Sequence, residues 1–137
     1  MKHMNNTLQE ALVANAVFSG TTGIGAIALA DVLAGSLGPP AWSLRALGVG
    51  LVVFAAVVAG ESRAPRARGT SRIIAADVAW VATAVIIIMV SPGWLTGVGR
   101  AVLAAVTIAV AALAAGQWRG FQMRGPIDDG VDQVLDG

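Results

Sequence analysis

Polar residues divide this chain into four long apolar runs, at about residues 8–36, 41–60, 72–90 and 96–118. Each is near the roughly 20 residues that a helix needs to cross about 30 Å of hydrocarbon. The pattern predicts an all-α membrane protein with four transmembrane helices. Its punctuation fits this division. Thr7 and Glu10 have the spacing of a capping box, which puts the first helix start beside them. Gly35, Gly38, Pro39 and Pro40 end the first run, and Ser91, Pro92 and Gly93 end the third. A tryptophan follows each of these short turns, Trp42 and Trp94, where interfacial anchoring and packing are equally suitable roles.

The polar exceptions inside the runs recur. Ala14-Asn15-Ala16-Val17-Phe18 in the first helix resembles Ala76-Asp77-Val78-Ala79-Trp80 in the third, with an aromatic residue three positions after the amide or acid. Pro40, Trp42, Arg45 and Gly60-Glu61 are echoed by Pro92, Trp94, Arg100 and Gly116-Gln117. The chain therefore reads as two copies of a two-helix hairpin. Two crossings per copy give both the same orientation, related by an axis near the membrane normal.

Composition agrees with the lipid reading. Of 137 residues, 56% are hydrophobic and 12% charged, against about 25% charged in ordinary soluble domains. Mean hydropathy is +0.75. There is no cysteine, and the single histidine, His3, stands in the polar N-terminal stretch. Thiol catalysis and disulfides are excluded, and classical zinc, haem or iron–sulfur sites have no ligand set, so no metal or cofactor is expected.

The net charge of +1 matters less than its distribution. Arg63, Arg66, Arg68 and Arg72 crowd the connection between the second and third runs, which the positive-inside rule places in the cytoplasm. Both termini then lie there as well, in the inner membrane of a bacterium. A short basic loop between apolar runs is not a nucleic-acid face. Residues 119–137 form a tail that begins with Arg119, Phe121 and Arg124 and turns acidic, read as a solvated cytoplasmic segment or a contact for a partner. A cleaved signal peptide is the competing reading of the first run, since Lys2 precedes it and Ala28-Leu29-Ala30 resembles a cleavage site. Glu10 and Asn15 are awkward in such a peptide.

Asp77 is the candidate for chemistry. It lies roughly 7–8 Å from the bilayer centre by its helix position, and a carboxylate inside hydrocarbon costs on the order of 2.5–3.5 kcal/mol. It therefore needs the bundle interior and a partner, and the repeat nominates Asn15. Phe18 and Trp80, one turn deeper, would floor a small polar pocket opening toward the cytoplasm, with Glu10, Glu61 and Gln117 near its mouth. The plainer reading is an interhelical hydrogen bond worth about 1 kcal/mol that fixes one helix to another. On the opposite side, Asp31, Arg45 and Arg100 have complementary charges and similar depth. They predict a structural ion pair or triad, with an anion site or snorkelling arginines as alternatives. The run from Ser19 to Gly25 reads as small-residue helix packing.

The residues Asn15-x-x-Phe18, Gly38-Pro39-Pro40, Leu47-Gly48-Val49-Gly50-Leu51, Asp77-x-x-Trp80 and Gln117-Trp118-Arg119-Gly120 resemble those of an uncharacterised group of small four-helix bacterial integral membrane proteins. The resemblance spans most of the chain and implies architecture rather than activity. Layout alone is similar to the EXPERA-type bundles, which include sterol-isomerising and lipophile-binding members. Small multidrug exporters need a membrane-embedded glutamate in their first helix, and Glu10 is too near its end. The glycine- and arginine-rich opening of the fluoride channels is absent.

Three functions follow as expectations. The first is a non-catalytic membrane protein, monomer or oligomer, that binds a lipophilic small molecule or serves as a partner subunit. The second is an isomerase or cyclase of a lipophilic substrate, with Asp77 as acid or base and Trp80 stabilising positive charge through its π face. The third is proton-coupled transport of a small solute through Asp77.

Overall fold

The computed structural model describes residues 2–64, 66–90 and 93–122. Ser91, Pro92, Arg124 and the acidic part of the tail lie outside them. Five helices follow one another: α1 Lys2–Ala28, α2 Ala30–Leu37, α3 Ala41–Arg63, α4 Ala67–Val90 and α5 Gly97–Gln122. No strand occurs among the described residues. Asn6–Ala28, Ala41–Arg63, Arg68–Val90 and Gly97–Gln122 are long and apolar enough to cross a membrane, which makes this an all-α, multi-pass membrane architecture.

The helices form a ring. α1 packs along α3, α5 lies beside both α1 and α4, and α3 and α4 make the least contact of the neighbouring pairs. Across the two diagonals, α1 to α4 and α3 to α5, there is no backbone contact among the described residues. The α1–α3 crossing is close because both helices place glycine there. A Cβ on Gly23 would sit 2.7 Å from the Gly48 carbonyl oxygen, and one on Gly48 would sit 2.6 Å from that of Gly23. Small residues let backbones approach in lipid, where hydrophobic collapse supplies no drive.

Element ends depart from the sequence expectation: α3 runs on to Arg63 and α5 to Gln122, into residues expected to begin the tail, and three other places differ. α1 begins at Lys2, so Thr7 stands inside the helix rather than at its cap. The first run is also two helices, interrupted at Leu29, whose N–H still donates to the Gly25 carbonyl at 2.9 Å. The interruption lets α2 reach both α3 and α5. α4 starts at Ala67 instead of about 72 because the Glu61 carboxylate accepts the Arg66 N–H and lies over Gly69. A carboxylate favours a helix N-terminus, whose first N–H groups lack intrahelical acceptors.

At the other end, Thr96 joins two turns. Its hydroxyl donates to the Ser36 carbonyl at 2.6 Å and accepts the Gly99 N–H at 2.9 Å, while its N–H donates to the Leu37 carbonyl at 3.0 Å. It thus caps α5 and ties that helix to the end of α2. Gly38, at φ +104°, makes the turn and meets the Trp94 carbonyl where a side chain would collide.

Candidate functional site

Asp77 faces the bundle interior and is 4% exposed. Because α4 starts early, the span Arg68–Val90 is centred on Ala79, two residues from Asp77. That is roughly 3 Å along the helix, closer to the bilayer centre than the shorter run implied. Its Oδ2 accepts from Asn15 Nδ2 on α1 at 2.7 Å and from Gln117 Nε2 on α5 at 3.1 Å. Oδ1 takes no hydrogen bond among the described residues, and Asp77 forms no ion pair there.

Ser19 extends the network. Its hydroxyl donates to Asn15 Oδ1 at 3.1 Å, which leaves the Asn15 amide nitrogen for Asp77. In the sequence Ser19 stands out only as a small packing residue. The signal was available, because Asn15 and Ser19 are four apart and share a helix face. Gln117 is fully buried rather than at a pocket mouth. Its Oε1, like Trp80 Nε1, is buried without a hydrogen-bond partner among the described residues.

The space beside this network lies on the side opposite to the expected one. Toward the α3–α4 connection, Leu8, Leu12, Val58 and Ile73 pack as a dry cluster with Ala16 and Phe54 against it. These side chains fill that end, and the cavity that Asp77 lines extends the other way. Beyond Phe18 and Trp80, a cavity of about 730 Å³ extends toward the turns at Pro39 and Trp94. Asp77, Ser19, Phe18 and Trp80 stand on its wall with Leu33, Leu47, Gly50, Phe54, Ile87 and Val106. Asp77 and Ile87 are ten residues apart on α4, so the cavity is roughly 15 Å long by helix rise.

Glu10 lies elsewhere, in a shallow depression of about 880 Å³ along α1 from Asn6 to Thr22. Glu61 is engaged at the start of α4. Asp31 and Arg45 form the expected ion pair, Nη2 to Oδ2 at 2.7 Å, with both side chains substantially exposed. Arg100 is exposed and does not join them, so the triad reduces to a pair among the described residues.

The structure thus brings Asn15, Phe18, Asp77, Trp80 and Gln117 to one place. The arrangement offers an uncommitted carboxylate oxygen and two aromatic rings at the polar end of an apolar space. No family model, curated protein or solved structure matches the chain.

Proposed function

We propose that this chain is a membrane-embedded binder of a lipophilic small molecule, held between the hairpins with its polar end at Asp77. One observation carries the reading: the cavity of about 730 Å³ is mostly apolar, with Thr22 and Ser43 on its wall and the carboxyl of Asp77 at one end. Volumes of about 300–1,000 Å³, mostly apolar with a few placed polar groups, are what small-molecule sites need. The weak α3–α4 contact supplies a lateral route from lipid.

The surrounding assignments support this reading. Arg63, Arg66 and Arg68 are exposed at the α3–α4 connection, and four crossings return the chain to its starting side. A bacterial inner-membrane protein with both termini cytoplasmic fits that charge placement. The diagonal Asn15–Asp77 pairing is also what a twofold repeat of α1–α3 and α4–α5 would produce.

Native mass spectrometry of protein released from detergent tests the binding. Gly50 lines the cavity and nothing lies within 4 Å of a Cβ placed on it, so Gly50→Leu fills space without backbone collision. The wild type should retain a lipophilic adduct that Gly50→Leu loses. Adducts equal in both proteins would remove the reading. The uncommitted Asp77 Oδ1 favours a second function, acid–base chemistry on the bound lipophile. Asp77→Asn would then abolish turnover even at ligand concentrations that saturate the cavity.

A further inference from the structure

The polar end of the cavity has one unpartnered donor, Trp80 Nε1, and no positive charge among the described residues. Asp77 is a formal anion, 4% exposed, held by two neutral amides and by no arginine or lysine among the described residues. Its partners leave Oδ1 open on the cavity wall, while Gln117 is buried behind it and does not line the cavity. Phe18 and Trp80 line the same end. Aromatic faces attract cations, most strongly when both are removed from water. A hydrocarbon tail would leave the acid unpaired, which is costly in a low-dielectric site. An anionic head would add like charge beside it.

We infer that the ligand is a cationic amphiphile, an ammonium head at Asp77 with its apolar body lying toward the Pro39 and Trp94 turns. This rests on the cavity-binding reading above and adds the chemical class. The ammonium supplies the charge that the site lacks, while Phe18 and Trp80 receive its flank. The cavity length of roughly 15 Å suits an elongated body rather than a compact one.

The test compares tetradecylamine, tetradecyltrimethylammonium and tetradecanol, binding to protein in nanodiscs of zwitterionic lipid, by equilibrium dialysis of labelled ligand against empty nanodiscs. Both cations should bind the wild type about tenfold or more tightly than the alcohol. Asp77→Asn should bring the three to similar affinity. Trp80→Leu should narrow the gap between cations and alcohol, and it carries the same test if Asp77→Asn does not yield folded protein. Tetradecanol binding as tightly as the cations, cation preference surviving undiminished in Asp77→Asn, or a gap left unchanged by Trp80→Leu, overturns the inference. Saturable alcohol binding that Gly50→Leu abolishes would still leave the cavity-binding reading in place. Failure of all three to bind saturably overturns both.

Discussion

Asn15 and Asp77 meet across the diagonal of the bundle, amide nitrogen to carboxylate oxygen at 2.7 Å, although their helices make no backbone contact among the described residues. The link between α1 and α4 is thus made by side chains through the interior. It stands between the dry cluster around Leu12 and the cavity beyond Trp80. A polar bridge in that position sets where packed core ends and open space begins.

Breaking the bridge from the α1 side should be costly. Asn15→Ala leaves Asp77 with Gln117 alone and removes the acceptor for Ser19. A loss of about 1–3 kcal/mol is expected for buried polar groups left unpaired. Thermal unfolding in detergent measures it, and a cycle with Asp77→Ala should return a coupling of roughly 0.6–2 kcal/mol. An additive double mutant would contradict the pairing.

The glycine crossing gives a second prediction. Gly48→Ala places a methyl 2.6 Å from the Gly23 carbonyl oxygen, so the helices must separate, at about 1–3 kcal/mol by the cost of overpacking. Gly25→Ala, with nothing within 4 Å, is the control and should leave the melting temperature unchanged or slightly raised. Equal effects at the two sites would show that the crossing is not as close as described.

Thr96 should matter more than its half-exposed position suggests. Thr96→Val keeps the shape but removes the cap of α5 and the hydroxyl bond to Ser36. The expected loss is about 1–2 kcal/mol, and Thr96→Ser should recover most of it.

Arg45→Ala, by contrast, should change stability by no more than about 0.5 kcal/mol, because exposed ion pairs are screened. Arg100→Ala should not alter the Asp31–Arg45 pair. Denaturation at low and high salt separates these two outcomes.

The four crossings were legible because charge-free length is a direct physical requirement of lipid. The Asn15–Asp77 pairing was legible because a buried acid must have a partner and the hairpin pattern offered one. Leu29 was not legible as a break, since leucine is a good helix former and its N–H still donates to the Gly25 carbonyl. The early start of α4 depends on Glu61, a residue from another helix, which local pattern cannot supply. The cavity's direction was missed for a related reason. Leu8, Leu12, Val58 and Ile73 are scattered in sequence, and only their joint packing fills that end.

The central claim is that the space beyond Asp77 holds a lipophile. Trp80 lines it, whereas Trp42 and Trp118 are exposed. With Trp42, Trp94 and Trp118 replaced by phenylalanine, fluorescence comes from Trp80 alone. Titration with a chain-brominated alkylammonium in nanodiscs should quench it saturably, and Gly50→Leu should abolish the saturable part. Quenching that rises only in proportion to ligand in the bilayer, unchanged by Gly50→Leu, would contradict the account.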